Sequence, residues 1–414
     1  MDGEGWKKGP GWRNKHAKFT KFGVVLFAAG GDHRTMNIGI FCDSFYPESK
    51  AVAVRLYHMA TGLSRQQHHV TVHTCTRGEQ VPGIRIVRNW LRAPSNESSN
   101  LVRLFSEFLL GFENFIRILF SRYDLVIISS PPFIASVMGV WAARLRKLPY
   151  VIDVRDEYPK VFFIAGLLSE HSIPGRVLSY LERSSYAHAR MIVSVTERIC
   201  NRIQTEHPNK HVYLLRNGFD EALFKPSDGQ YEVFTTVFHG NIGKFQRPDL
   251  IIDLARHCKE NQIAIRFLVI GWGQNDRELQ GSLPDNMEFL GQQAYTVIPS
   301  IISKAHVGLS FRTDDEISLN SFPVKVYEYI GVGIPVLVTP ISEAGSFIEN
   351  QQLGFQFTGH RVSELADILR KLAFEKTYYQ SLRSNVVQTR ARFSRTTLSD
   401  EFAKVVGALL NNKV

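Results

Sequence analysis

The sequence predicts an α/β fold of two Rossmann-like domains, each built on its own parallel sheet. Short apolar runs alternate with amphipathic helical stretches from Met36 onward, which is the order typical of a doubly wound sheet. The same alternation restarts near Phe234, after a seam at 217–231. A chain of 414 residues with 44% hydrophobic residues is also too long for one ordinary core and suits two.

The predicted elements follow this order in both halves of the chain. The first half opens with a strand at 37–42, a loop at 43–50 and a helix at 51–66. The further predicted strands are 70–74, 84–87, 125–129, 150–154 and 191–195 in the first half, and 234–239, 266–270, 287–290, 307–310 and 335–339 in the second. We therefore expect an N-terminal domain over 36–215 and a C-terminal domain over 216–390. We expect a helical segment over 391–414 to pack back on the N-terminal domain.

The charge and cysteine content narrow the class of protein. The net charge is +10, but no basic run with interleaved aromatic residues indicates nucleic-acid binding. A nucleoside diphosphate or an anionic membrane surface accounts better for this charge. The four cysteines are far apart and have no Cys-x-x-Cys spacing, which favours a reducing, cytoplasmic compartment over a zinc site or disulfides.

Residues 1–35 have a composition of their own, with seven basic and three acidic residues. The apolar run at 22–30 is much shorter than the roughly 20 residues that a membrane span needs. A basic leader with a short apolar run resembles a signal peptide, but the pattern that starts at Met36 is that of a cytosolic enzyme. We interpret 1–35 as a disordered extension, or as translated sequence upstream of the natural start.

The most informative motif lies at 322–335, where Glu328 stands early in a predicted helix that ends in a glycine turn before an apolar strand. In an open parallel sheet, ligands bind beyond the carboxyl ends of the strands. A carboxylate at that edge is well placed to accept two hydrogen bonds from the hydroxyls of a ribose. The alternative is an exposed carboxylate on a helix surface.

This segment resembles the nucleotide-sugar signature of the retaining glycosyltransferases of family 4, Glu-x-Phe-Gly-x-x-x-x-Glu. Phe322 and Glu328 match that signature, whereas Asn320 replaces the first glutamate and Pro323 the glycine. Further matches fall in the family's order, at 151–159, 215–226, 238–244, 269–273 and 289–291. The first of these resembles a subgroup that adds amino sugars during bacterial surface polysaccharide assembly. The resemblance covers about 36–390 and implies the GT-B fold, in which two Rossmann-like domains face each other across a cleft.

The resemblance also implies an activity. A sugar would be transferred from a nucleoside-diphosphate sugar to a glycan or lipid-linked glycan acceptor. We expect the nucleoside diphosphate to be UDP. The donor would be a substrate and no cofactor is expected. No Asp-x-Asp metal motif follows a predicted strand, so we also expect no metal site. The residues expected to bind the donor are Gly240, Asn241, Gly243, Lys244, Arg247, Gly271, Lys325 and Glu328.

The physical roles of these residues differ. Gly240 and Gly243 permit close approach of the backbone to phosphate. Lys244 and Arg247 can neutralise a diphosphate leaving group. Lys325 is either a further phosphate ligand or a solvated helix lysine.

We expect three residues, Arg155, Asp156 and Asn320, to act at the reacting sugar. Asn320 offers hydrogen bonds without charge. Arg155 and Asp156 directly follow a predicted strand and so should point into the cleft, although a purely structural ion pair between them is the alternative. We assign Ser44 and Arg55 to acceptor binding.

The stretch 101–120 has apolar residues at helical spacing and is unusually rich in phenylalanine. It is either a helix packed in the core or an interfacial helix that docks the protein on the inner membrane face. Two other functions stay open: a nucleotide-sugar 2-epimerase, and a degenerate nucleotide-sugar-binding or scaffold protein. An NAD-dependent dehydrogenase is disfavoured because no Gly-x-Gly-x-x-Gly follows the first strand.

Overall fold

The computed structural model describes residues 35–48, 50–90, 100–164, 166–274, 279, 281, 283–359 and 361–411. The predicted leader lies outside these residues, except for Thr35. No helix among the described residues is both long and apolar enough to cross a bilayer.

The N-terminal sheet has seven parallel strands in the described part of the chain. They are β1 (Asn37–Phe41), β2 (His69–Thr74), β3 (Ile84–Arg88), β4 (Leu125–Ser130), β5 (Tyr150–Val154), β6 (Met191–Ser194) and β7 (Val212–Leu214). The helices of this half are α1 (Ala51–Arg65), α2 (Asn100–Leu119), α3 (Phe133–Leu145), α4 (Lys160–Ile164), α5 (Ile173–His188) and α6 (Glu197–Glu206). The strand order β3-β2-β1-β4-β5-β6-β7 reverses direction between β1 and β4, which is where open sheets bind ligands.

The C-terminal sheet repeats this design with six strands. They are β8 (Thr235–Asn241), β9 (Arg266–Trp272), β10 (Met287–Phe289), β11 (Val307–Phe311), β12 (Val336–Thr339) and β13 (Gly354–Gln356), in the order β10-β9-β8-β11-β12-β13. The helices are α7 (Pro248–Glu260), α8 (Ile298–Ile302), α9 (Glu316–Asn320), α10 (Val324–Gly331), α11 (Glu343–Asn350), α12 (Val362–Phe374) and α13 (Lys376–Thr389), then a 3-10 helix (Arg390–Phe393) and α14 (Arg395–Asn411). The predicted fold of two Rossmann-like domains is confirmed.

Helix α14 returns from the C-terminal half to the N-terminal sheet. Phe402 and Val406 are fully buried in one cluster with Leu56 of α1. At the rim, the Arg65 guanidinium forms an ion pair of 2.7 Å with Asp400. The last helix therefore completes the core of the first domain.

The chain crosses between the domains twice, and the two crossings lie side by side. The backbone N–H of Phe219 donates to the carbonyl of Phe393 at 3.1 Å, and the N–H of Arg395 donates to the carbonyl of Phe219 at 2.9 Å. A parallel bridge between Phe219 and Ser394 joins the segments. The outgoing and returning crossings thus form one short ribbon.

Candidate functional site

Helix α10 carries Glu328 to the carboxyl edge of the C-terminal sheet. The helix begins directly after Pro323, which cannot donate a backbone hydrogen bond and suits a helix start. The Glu328 side chain is 6% exposed. Its Oε1 accepts a hydrogen bond of 2.9 Å from the Tyr295 hydroxyl, and its Oε2 lies 3.2 Å from Nε2 of His239. Burial raises the pKa of Glu328, while the Tyr295 hydroxyl and the nearby Arg395 and Lys325 oppose that rise.

The histidine beside this carboxylate is electrically neutral. Burial, reinforced by the Lys325 ammonium, lowers the pKa of His239 to about 3. The Nε2 atom of His239 is buried and has no hydrogen-bond partner among the described residues, so its 3.2 Å contact with Glu328 is a close approach and not a hydrogen bond. The neighbouring Tyr329 hydroxyl donates to the carbonyls of Val237 and Leu309, at 3.1 and 3.2 Å, and so fixes α10 on the sheet.

Two glycines shape the end of the sheet next to this carboxylate. Gly240 has φ of +118°, a conformation that favours glycine. Gly271 lies opposite it on β9, where a Cβ would come within 2.1 Å of the Gly240 carbonyl oxygen. Gly271 is buried and has no room for a side chain, whereas Gly240 is partly exposed and favours glycine through its backbone conformation. Asn241 and Gly243 continue the loop, with Asn241 exposed.

The cations predicted for this loop lie in different surroundings. Lys244 is exposed, and the Arg247 guanidinium is bound by Asp249, with Nε–Oδ1 and Nη2–Oδ2 distances of 2.8 and 2.6 Å. Lys325 instead lies against the loop. Its Nζ donates to Gln246 Oε1 at 3.1 Å and lies 3.7 Å from the centre of the Phe238 ring.

Arg312 is a site residue that the sequence analysis missed. It follows β11, and its backbone forms an isolated bridge with Gln246 of the glycine loop. Burial lowers the pKa of Arg312. Burial also lowers the pKa of Lys325, and the positive charge of Arg312 lowers it further. Its position at the end of a buried strand, like that of Arg155 after β5, is a signal that could have identified it.

Asn320 ends helix α9, close in sequence to the signature motif. Asp315 caps this helix by accepting hydrogen bonds from the N–H groups of Ile317 and Ser318. The Oδ1 atom of Asn320 is buried and has no hydrogen-bond partner among the described residues. An unpaired amide oxygen is free to accept a hydrogen bond from a ligand hydroxyl.

Across the cleft, Arg155 and Asp156 follow β5 as predicted. The Arg155 guanidinium donates to Ser129 Oγ at 3.2 Å and to the Pro131 carbonyl. Among the described contacts the two residues form no ion pair with each other, so the structural-pair alternative is not supported. The Asp156 residue is exposed, but partial burial of its carboxylate raises its pKa, and the positive charge of Arg155 opposes that rise.

A contact links this edge to the other domain. The Lys160 ammonium at the start of α4 lies 2.9 Å from the Glu316 carboxylate at the start of α9. The segment after Asp156 and the short helix that ends at Asn320 are therefore neighbours across the domain boundary.

The two residues assigned to acceptor binding are both buried. The Arg55 side chain is 3% exposed and pairs with the fully buried Asp153 at 2.8 Å, while its Nη1 donates to the Leu215 carbonyl at 2.6 Å. This network leaves Arg55 no open face, so its assignment to acceptor phosphate does not fit the structure. Ser44 is 1% exposed and lies at the carboxyl end of β1. The described residues contain no group of three or more His, Cys, Asp or Glu side chains that could hold a metal ion.

Helix α2 is only half covered by protein. Leu110 and Ile118 are buried, and the helix packs along α3. The phenylalanines on the other face, however, are about half or more exposed, at 63% for Phe105, 50% for Phe108 and 48% for Phe112.

Comparisons with known proteins agree with this architecture. The model of the glycosyl transferase 4-like domain matches residues 50–218, and that of the glycosyl transferases group 1 domain matches 220–389. The colanic acid biosynthesis glycosyltransferase WcaL of Escherichia coli strain K12 is 22% identical over 284 residues, covering 66% of this chain and 68% of WcaL. The alpha-monoglucosyldiacylglycerol synthase of Streptococcus pneumoniae is 28% identical over 46% of this chain and 42% of the synthase.

Solved structures show the same fold. Anabaena HepE in complex with UDP and glucose superposes with a TM-score of 0.62 at 17% identity, over 90% of this chain and 99% of HepE. WaaG, a glycosyltransferase involved in lipopolysaccharide biosynthesis, gives a TM-score of 0.62 at 15% identity, over 89% of this chain and 99% of WaaG.

Two parallel-sheet domains, with the motif glutamate buried at the edge of the second sheet, define a glycosyltransferase of the GT-B fold. The two family models together match most of the chain, which belongs to glycosyltransferase family 4.

Proposed function

We propose that this enzyme transfers a sugar, with retention of configuration, from a UDP-sugar to a hydroxyl of a lipid-linked glycan during bacterial surface polysaccharide assembly. The observation that carries the proposal is the buried Glu328 carboxylate, which the Tyr295 hydroxyl holds and the neutral His239 ring adjoins, beside the glycine loop. The names of WcaL and WaaG support the polysaccharide context, and HepE supports UDP as the nucleotide. The likeness of 151–159 to amino-sugar transferases favours a UDP-N-acetylhexosamine.

In the proposed complex each domain holds one substrate. Glu328 accepts hydrogen bonds from both ribose hydroxyls, since the Tyr295 hydroxyl fixes the orientation of its carboxylate. Asn320 offers its unpaired Oδ1 to a hydroxyl of the transferred sugar. Arg155 and Asp156 approach the reacting sugar or the acceptor from the N-terminal domain.

The proposed step needs no enzyme nucleophile. The bond between the sugar C1 and the diphosphate oxygen breaks while the acceptor oxygen bonds to C1 on the same face. The acceptor proton passes to the departing phosphate oxygen. We propose that no cofactor or metal takes part, because cationic side chains at the glycine loop can stabilise the leaving diphosphate.

The test is a thermal-shift screen against UDP, GDP, UDP-N-acetylglucosamine and NAD, with and without EDTA, followed by NMR of the product anomer. Stabilisation by UDP that survives EDTA, and an axial donor giving an axial product, are expected. Interconversion of the donor sugar without acceptor would favour the 2-epimerase. Donor binding without any turnover on glycan acceptors would favour the degenerate protein.

We also propose that α2 docks the enzyme on an anionic membrane, where a lipid-linked acceptor is presented. Three phenylalanines of one helix are too exposed for a purely structural role. The exposed Arg103 and Arg122 adjoin this face in sequence and favour anionic lipid. On α5, Ile173, Val177 and Tyr180 form a further exposed stripe.

Vesicle co-sedimentation tests this contact. The double variant Phe105→Ser/Phe108→Ser should lose most of its binding to phosphatidylglycerol vesicles. Phe374→Ser is a matched control, because Phe374 is 66% exposed but lies on α12 in the other domain. Equal loss in both variants, or equal binding to neutral phosphatidylcholine, would argue against docking through α2.

A further inference from the structure

Two cations stand side by side at the glycine loop without a carboxylate partner. Neither Lys325 nor Arg312 forms an ion pair within 4.0 Å among the described residues; the charges of Glu328 and Asp315 act on Lys325 and Arg312, respectively, from farther away. Lys325 is held by Gln246 and the Phe238 ring, which are neutral. The Nε of Arg312 is buried and has no hydrogen-bond partner in the described part of the chain.

The backbone fixes these two cations against the loop. The N–H of Arg247 donates to the carbonyl of Phe311 at 3.3 Å, and the N–H of Thr313 donates to that of Phe245 at 3.2 Å. The Arg312 guanidinium consequently lies 6.0 Å from the Phe245 ring centre. On the other side, a Cβ at Gly240 would lie 3.5 Å from Lys325 Nζ. Lys325 therefore borders Gly240, and Arg312 borders the same loop at Phe245 and Gln246.

Partly buried like charges without a paired counter-ion are costly, and a dianion that binds between them removes that cost. The exposed Lys244 is screened by water, and Arg247 already has a carboxylate partner in Asp249. An anion is therefore expected to gain most electrostatic stabilisation beside Lys325 and Arg312.

We propose that Arg312 and Lys325, in place of Lys244 and Arg247, bind the diphosphate of the nucleotide sugar and stabilise it as it leaves. This inference rests on the proposed function, since it places a diphosphate at the same site. It adds Arg312 to the substrate-binding residues and assigns Lys244 and Arg247 a minor, peripheral role.

Calorimetric titration with UDP, uridine and inorganic pyrophosphate tests the assignment. Arg312→Gln and Lys325→Met should each weaken UDP by about 10- to 100-fold, the effect of losing a hydrogen bond to a charged group. Both should also weaken pyrophosphate and leave uridine unchanged. Lys244→Gln and Arg247→Gln test the competing assignment and should change UDP affinity by less than about threefold. Arg312→Lys and Lys325→Arg keep the charge and should retain part of the affinity, which separates charge loss from misfolding.

The assignment would be overturned if Lys244→Gln and Arg247→Gln lowered the affinity for UDP more than Arg312→Gln and Lys325→Met do. Equal loss of uridine and UDP in the Arg312 and Lys325 variants would also overturn it, because the defect would then be structural. Wild-type protein that binds pyrophosphate through this pair but no nucleotide would uphold the anion site and refute the proposed donor. Wild-type protein that binds neither ligand would refute both.

Discussion

Oε2 of Glu328 lies 3.2 Å from Nε2 of His239, whose pKa burial lowers to about 3. At neutral pH the ring is therefore an uncharged neighbour that does not neutralise the carboxylate, and the Tyr295 hydroxyl supplies the hydrogen bond that orients it. The carboxylate keeps its capacity to accept further hydrogen bonds, which the ribose hydroxyls would supply in the proposed complex.

Glu328→Gln should weaken UDP by about 10- to 100-fold, because the amide loses the charge and one of its two accepting oxygens. The effect should nearly vanish with 2′,3′-dideoxy-UDP, which has no hydroxyls to lose. Titration calorimetry gives both affinities. Glu364→Gln, in an exposed pair with Arg361, is the control and should change neither. A Glu328→Gln defect of equal size for both nucleotides would place the carboxylate away from the ribose.

UDP affinity should fall as the pH rises through the alkaline range. Burial lowers the pKa of Lys325 well below that of a free lysine, Arg312 lowers it further and Glu328 partly opposes them. The neutral His239 contributes no charge. A bound dianion raises this pKa, so binding takes up a proton and is strongest below the pKa of the empty site.

Titrations in buffers of different ionisation enthalpy measure that proton directly. The Lys325→Met variant, which cannot take it up, serves as the control. An affinity and an enthalpy independent of pH and buffer between about pH 6 and about pH 9 in the wild type would contradict the prediction.

Asp153→Asn should destabilise the protein by about 3–5 kcal/mol, because it leaves the buried Arg55 charge without its partner. Asp253→Asn removes a carboxylate from an exposed helix pair with Arg256 and should cost at most about 1 kcal/mol. Urea unfolding followed by circular dichroism compares the two. Similar small losses in both variants would mean that the buried pair contributes no more than a surface pair.

Gly271→Ala should disturb the glycine loop, since its Cβ would meet the Gly240 carbonyl oxygen at 2.1 Å. Neighbouring strands must then separate, and we expect lower UDP affinity together with a lower melting temperature. Gly407→Ala is the control, because nothing lies within 4 Å of that Cβ and alanine favours a helix by about 1 kcal/mol. A Gly271→Ala protein that melts and binds UDP like the wild type would show that the strands relax without cost.

Much of the fold could be predicted because its signals are local. The strands at β1 and β4 are apolar runs between turns, and their buried pattern follows directly from the sequence. Strands β7 and β13, which have three residues each at a sheet edge, were missed, whereas β10, of the same length and also at an edge, was predicted. Glu328 could be located because its helix, turn and following strand are contiguous.

The remaining site depends on contacts between distant segments. The sequence assigned Arg55 to a ligand, but its partner Asp153 stands 98 residues later, and only the folded sheet brings them together. Arg312 belongs to no motif, and its position against the loop is set by backbone hydrogen bonds between 245–247 and 311–313. The spacing of residues along the chain predicts neither the pairing of Arg55 with Asp153 nor the position of Arg312 against the loop.

The ribbon between Phe219 and Ser394 has a consequence for movement. Two separate connections would let the domains shear or twist independently, whereas two segments that are hydrogen-bonded to each other act as a single hinge. We therefore expect the domains to open and close mainly by rotation about this ribbon. In the proposed complex, a sugar nucleotide on the C-terminal domain and an acceptor on the N-terminal domain would then meet in the same relative orientation at every turnover.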